Sequence, residues 1–194
     1  TPLLVASGFS WLDRKGNTDA RYVRLLLDYG ADPNIHYVGS NTLGSSTIIE
    51  PGTSPLMYSI SSGIEKTKML VEAGADINYK TKSGRTAAIV ALLAKRHPEY
   101  AHYLIVEKQA SITDPYFRRV NYEGEDPDDK FYPVSILRNW VFELDSDEYR
   151  LKMDIVREFI RQGVDYWNAE VPSRTLEHIK KLYPDTWEDY VQKY

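Results

Sequence analysis

An all-α solenoid of stacked helix pairs, with short β-hairpin fingers between the pairs, is the fold class this sequence predicts, and two observations carry it. The first is an alternation. Helix starts at Thr1-Pro2-Leu3, Ser54-Pro55-Leu56, Thr86-Ala87-Ala88 and Tyr132-Pro133-Val134 interleave with closes at Gly30-Ala31-Asp32-Pro33-Asn34, Gly74-Ala75-Asp76-Ile77-Asn78, Gln109-Ala110-Ser111-Ile112-Thr113 and Gly163-Val164-Asp165-Tyr166-Trp167-Asn168. Chance matches would not keep that strict order. The second is residues 54–78, which read as two short antiparallel helices. Leu56, Met57 and Ile60 stand at helical spacing before a break at Ser61-Ser62-Gly63, and Ile64, Met69, Leu70, Val71 and Ala73 follow, stopped by Gly74. Proline at a first helical position and glycine just past a last one mark such a start and stop.

These starts and closes resemble the ankyrin repeat, a unit of about 33 residues with a Thr-Pro-Leu-His-x-Ala helix start and a Gly-Ala-Asp-x-Asn close. The resemblance implies an ankyrin-type α-solenoid over residues 1–194, with repeats at 1–34, 35–78, 79–113 and 114–168 and a C-terminal helical cap at 169–194. It departs from the family in two ways. Successive closes lie 74−30 = 44, 109−74 = 35 and 163−109 = 54 residues apart, so the extra residues belong in loops that leave the stacking undisturbed. The family histidine is replaced by Leu4, Met57, Ile89 and Ser135, which favours apolar packing between repeats over a polar tie.

Taken in order, the first inner helix starts at Thr1, whose hydroxyl can cap it and whose Pro2 suits the first turn. Residues 9–19 form a long joint with Trp11 and the turn pair Gly16-Asn17. An outer helix over 20–29 follows, with Tyr22, Val23, Leu25, Leu26 and Leu27 as its apolar side and Arg21, Arg24 and Asp28 outward. Residues 35–53 have β-branched or aromatic ends and a Gly/Ser/Thr middle, which predicts an enlarged hairpin. Its Ile48 and Ile49 either cover the neighbouring unit or face a partner. The third unit has its finger at 79–85, an inner helix over 86–96 and an outer helix over 99–108. That inner helix is nearly all apolar, as a unit flanked on both sides requires. In the fourth unit the finger spans 114–132, the inner helix 133–144 and the outer helix 148–162, striped by Leu151, Ile155, Val156, Phe159 and Ile160. Two further helices, about 174–182 and 186–193, alternate charge with aromatics and read as the terminal cap.

Composition limits the function. At 42% hydrophobic and 27% charged, the 194 residues are ordinary for a globular chain with a packed core. The net charge is −4. Lys and Arg stand against Asp and Glu as 12 to 11 over residues 1–115 and as 12 to 17 over 116–194, so no basic footprint for nucleic acid exists. The absence of cysteine excludes disulfides, thiolate metal sites and a thiol nucleophile, and leaves the compartment open. The longest uncharged apolar stretch, 87–94, is far short of the ~20 residues of a membrane span. A start pattern already in place at Thr1, with no initiating Met, predicts that sequence precedes it and carries any targeting signal.

Catalytic and metal chemistry finds no pattern. His36, His97, His102 and His178 fall at no ligand or catalytic spacing; His97 and His102, five apart, point to different helix faces. The acids of 123–129 lack the alternation, the sixth-place glycine and the closing glutamate of a calcium loop, and read as a solvated run. Asp145, Asp147 and Glu148, like Glu188 and Asp189, sit where a helix start collects acids. No phosphate-cradling glycine loop, nucleophile elbow or zinc-protease motif occurs. The 15 Tyr and 4 Trp either fill gaps between irregular repeats or serve recognition; Tyr37, Tyr79, Tyr116 and Tyr122, at fingertips, are the candidates for contact.

In the ankyrin family the fingers and the exposed edge of the inner helices form a concave groove for other proteins. The resemblance therefore implies a monomeric, non-enzymatic protein-binding module without cofactor. Matching residues to the usual contact positions gives Lys82, Ser83 and Arg85 in the third finger, and the helix-proximal Ser61, Ser62, Asn139 and Trp140 in the second and fourth units. Lys80, Lys82 and Arg85 would meet an acidic partner segment, with Tyr79 as the anchor, and Tyr37 is a further binding candidate. Three alternatives remain open: an inhibitor or immunity-like protein that plugs a partner enzyme, a scaffold segment of a larger protein, and an enzyme or carbohydrate-binding protein using the aromatic and acidic loop 114–132.

Overall fold

The chain folds as two layers of short helices, and the computed structural model describes residues 1–8, 19–39, 42–43, 47–117, 126 and 128–194. The inner layer runs α1 (Pro2–Ser7), α3 (Pro55–Ser59), α5 (Ala87–Leu93) and α7 (Pro133–Leu137). The outer layer runs α2 (Arg21–Asp28), α4 (Ile64–Glu72), α6 (Pro98–His102, continued by a π-helical turn Tyr103–Glu107) and α8 (Asp147–Arg161). Each inner helix packs on the next, α1 on α3, α3 on α5 and α5 on α7, and the outer layer stacks in parallel through α2, α4, α6 and α8. Helices α9 (Ser173–Leu182) and α10 (Trp187–Lys193) pair at the C-terminal end.

The starts work as their residue types require. Thr1, Ser54 and Thr86 each accept, on the side-chain oxygen, the backbone N–H three residues on, at 3.3, 3.1 and 3.2 Å. The closes share a second device. At Gly74 the chain turns left-handed (φ +88°), so the Ala75 N–H reaches back to the Leu70 carbonyl; Ala31 bonds Leu26, and Val164 bonds Phe159, in the same way. Gln109 takes the left-handed place in the third close, where the π-helical turn brings the Ala110 N–H to the Leu104 carbonyl.

One core runs through the stack, from Leu3 and Val23 through Leu56, Leu70, Ile89, Leu92 and Leu104 to Phe159, and α5 lies at its middle with Ala88, Ala91 and Leu92 fully covered. A smaller cluster of Ile179, Tyr190 and Tyr194 holds the last two helices. In the finger of residues 35–53 the short strands β1 (Thr42–Leu43) and β2 (Thr47–Ile48) pair antiparallel, Thr42 opposite Ile48, and Ile49 is buried. The joint expected at residues 9–19 lies, save for Asp19, outside the described residues, as does Tyr122.

Four expectations are corrected. Tyr22 and Leu25 do not join the buried side of α2 but face outward, because only Val23 reaches the core and Leu26 and Leu27 are half-covered. Ile160, likewise, is exposed on α8. The fourth inner helix stops at Leu137, not near residue 144, because later backbone groups are taken by side chains of other elements: the Arg138 carbonyl accepts from the Tyr194 hydroxyl and the Trp140 carbonyl from Lys152 Nζ. Polar ties between units do exist despite the missing histidine. Asn34 accepts from the Asp76 N–H at 2.8 Å and donates to the Gly74 carbonyl, and Asn78 accepts from the Ser111 N–H at 2.8 Å. The asparagines of the closes thus form a ladder from unit to unit.

The stack makes α5 the hardest helix to open, since neighbours cover it on both sides. Its amides should exchange more slowly than those of α1; equal rates in a native-state exchange measurement would contradict this placement. Replacing the cap in Thr86→Ala should cost about 1 kcal/mol in urea unfolding.

Candidate interaction surface

The fingers are joined to one another along one edge of the stack. Residue 37 pairs with the far end of its own finger, its N–H to the Thr53 carbonyl at 2.9 Å and its carbonyl to the Gly52 N–H at 2.7 Å. His36 then stacks on Tyr79 of the next finger, ring centroids 3.7 Å apart and nearly parallel. Glu50 Oε1 accepts from the Ser83 N–H at 3.2 Å, the Ser83 carbonyl accepts from the Phe117 N–H at 2.7 Å, and Lys80 pairs with Asp114 at 2.5 Å. The third finger itself is closed by the Thr81 N–H to the Arg85 carbonyl, at 3.0 Å, around Gly84. That glycine has φ +76°, and a Cβ there would stand 2.8 Å from the Pro115 carbonyl oxygen, so both the turn and the approach of the fourth finger demand it.

The contact residues expected from sequence therefore divide. Tyr79, Lys80, Ser83 and Arg85 come together in the third finger, but Tyr79, Lys80 and Ser83 are engaged with neighbouring fingers, and the Arg85 guanidinium lies over the Tyr116 ring, 5.8 Å from its centroid. Tyr37 is half-buried. Tyr116 is buried and bonds backbone to backbone with Phe131, so it is a core residue and not a fingertip. Lys82 stands exposed at the tip, with no hydrogen bond or ion pair among the described residues. Ser61 is exposed while Ser62 is buried. Trp140 is corrected outright: at 1% exposure its indole lies in the core and donates to the Leu92 carbonyl at 3.0 Å, tying the fourth unit to the third.

Asn139 is exposed beside an open cavity of about 640 Å³. The cavity lies where α5 and α7 end and α9 passes. Lys95, Arg174, His178 and Lys181 line it, against the single carboxylate of Glu177. The Asn139 side chain accepts from the Thr175 hydroxyl at 2.5 Å and donates to the Ser135 carbonyl at 2.8 Å, so its floor is fixed.

Two buried lysines escaped the sequence reading. Lys66 donates to the carbonyls of Ala6 and Gly8, at 3.0 and 3.2 Å, at the end of α1. Lys152 donates to the Trp140 carbonyl at 2.7 Å and lies 3.9 Å from the Tyr194 ring centroid. Their helical phase was the available signal, since Lys66 precedes buried Leu70 by four residues and Lys152 precedes Val156 by four and Phe159 by seven. Arg138 completes the second cluster. Its guanidinium donates to the Ala169 and Tyr194 carbonyls and faces the rings of Tyr166 and Tyr194.

Burial, with the Arg138 guanidinium nearby, pushes the Lys152 ammonium well below its ordinary value of 10.5. Between that lowered value and 10.5 the folded chain binds fewer protons than the unfolded one, so stability rises with pH across the window. Wild type should therefore gain stability relative to Lys152→Met between about pH 7 and about pH 9, below the range where tyrosines ionise. Parallel urea-unfolding curves over that range would show that Lys152 stays charged in the fold.

Among the described residues, no group of three His, Cys, Asp or Glu could hold a metal ion, and no helix is long and apolar enough to cross a membrane. Residues 118–125 and 127 of the loop 114–132 lie outside them. The family model for ankyrin repeats, in three copies, matches residues 17–115. An ankyrin repeat protein of Rickettsia bellii (strain RML369-C) is 32% identical over 77 residues, 38% of this chain. The match spans only 11% of that protein's length. Repeats of this kind are generally protein–protein interaction modules and typically non-enzymatic. With its paired layers, its left-handed closes and this match over half its length, the chain belongs to the ankyrin repeat family.

Proposed function

We infer that this chain is a non-enzymatic module that binds a partner protein with its fingertips and the adjoining edge of the inner helices. The observation that supports this is the joining of the fingers. The His36–Tyr79 stack, the Glu50–Ser83 bond and the Lys80–Asp114 pair hold successive fingers in one arrangement. A surface fixed before binding loses less conformational freedom when a partner arrives. Lys82 and Ser61 are the residues left to touch that partner, with Tyr37, Tyr79, Lys80, Ser83 and Arg85 positioning the surface from behind. A role for Lys82 also keeps the electrostatic part of the reading, since its ammonium is unpaired among the described residues and a carboxylate on the partner would complement it.

Affinity capture with the purified chain, read by mass spectrometry, tests this when wild type and Lys82→Glu are run side by side. One protein should be retained in near-stoichiometric amount by wild type, and Lys82→Glu should weaken its binding roughly tenfold. A partner held equally by both would remove the fingertips from the interface.

A further inference from the structure

We propose that the cavity between the ends of α5 and α7 and the flank of α9 is a second contact site, which receives an acidic segment of the partner protein. The inference rests on the protein-binding reading and extends it to a cavity whose lining does not include the fingertip Lys82. Lys95, Arg174 and Lys181 reach the cavity from two separate elements, with the imidazole of His178 between them on α9, and only Glu177 opposes them. The chain as a whole carries a net charge of −4. The concentration of positive charge in one cavity therefore runs against the balance of the molecule.

None of these three cations has an ion pair among the described residues, whereas Arg21, Lys68, Lys80, Arg150, Arg157 and Arg161 are each beside a carboxylate. The cavity is also preformed. The Thr175–Asn139 hydrogen bond links α9 to the end of α7 across its floor, and Thr175 itself is buried. Val141 adds an apolar contact. A cavity of about 640 Å³ that is open to solvent suits several carboxylates on a passing chain.

The lining favours an acidic peptide over nucleic acid. No Phe, Tyr or Trp is among its lining residues to stack a base, and its cations are confined to one cavity in a chain of net charge −4, without the extended basic surface a phosphate backbone requires. Its cations are long, exposed side chains at the rim. They match flexible carboxylates and give a contact that weakens with salt.

The test uses the whole chain and a fluorescent octaglutamate peptide, followed by anisotropy at low and at physiological salt. Wild type should bind the peptide, more weakly as salt rises. Lys95→Glu and Lys181→Glu should each weaken it about fivefold or more, while Arg24→Glu, the same charge change on exposed α2, should alter it less than twofold. Thermal melting checks that each variant is folded, and Lys95→Gln with Lys181→Gln gives a milder pair should a reversal fail to fold. No binding by wild type, or equal losses in all three reversals, would overturn the site. So would tripolyphosphate displacing the peptide at a concentration tenfold below that of free glutamate chains. If the partner captured above is lost with Lys82→Glu yet unchanged in Lys95→Glu and Lys181→Glu, the protein-binding reading stands and this site does not.

Discussion

A helix of five to seven residues has almost no stability of its own, and the whole inner layer is made of such helices. Nucleating a helical turn fixes several residues for one hydrogen bond, so segments this short persist only where packing holds them. Each has at most a few internal hydrogen bonds and leaves most of its N–H and C=O groups to be satisfied by something else. The hydroxyl caps of Thr1, Ser54 and Thr86 meet that need at one end. At the other end the answers differ from unit to unit. Lys66 covers the carbonyls after α1, and Lys152 with Tyr194 covers those after α7. A buried ammonium is costly to desolvate, yet several acceptor oxygens at a helix C-terminus are among the few environments that offset the cost without a carboxylate.

Legibility in the sequence follows from which groups act locally. Caps and left-handed closes depend on residues three to six apart, so Thr86 and Gly74 announced themselves by type and position. The same holds for the apolar run that became α5. The end of α7 was illegible because it is decided by Tyr190, Lys152 and Tyr194, residues 12 to 56 positions away in the chain. Trp140 was misplaced for a related reason. A family contact position was carried onto a segment whose helix had already ended, and the chain there turns inward to give the indole the Leu92 carbonyl. The missing histidine does not foretell the polar ladder, because Asn34 and Asn78 in the closes supply the tie from a different part of the repeat.

The finger residues show how a contact set read from sequence can be right about location and incomplete about role. Tyr79 and Lys80 do come to the third finger. Their rings and charges are already committed to His36 and Asp114, so they set the spacing of the fingers. An exposed ion pair such as Lys80–Asp114 contributes little to stability by itself. What it adds here is geometry, since the Ser83–Phe117 backbone hydrogen bond bridges the same third and fourth fingers, and the His36–Tyr79 stack and the Glu50–Ser83 bond join the third finger to the second.

The abundance of tyrosine finds its explanation at the C-terminal end. Where the first two closes use asparagine to reach the next unit, the fourth unit meets a cap with no close of that kind and a chain that must be anchored some other way. Tyr166, Tyr190 and Tyr194 supply it, each with a ring in the core and a hydroxyl on a backbone oxygen: Tyr166 on Tyr194, Tyr190 on Phe142, Tyr194 on Arg138. Burial raises the pKa of all three hydroxyls, so they remain donors throughout the physiological range. Rings packed against the Arg138 guanidinium and the Lys152 Nζ then do double service, filling volume and covering the nitrogen donors that the helix ends use. The aromatic residues that looked available for recognition are, in this half of the molecule, the means by which an irregular repeat is closed.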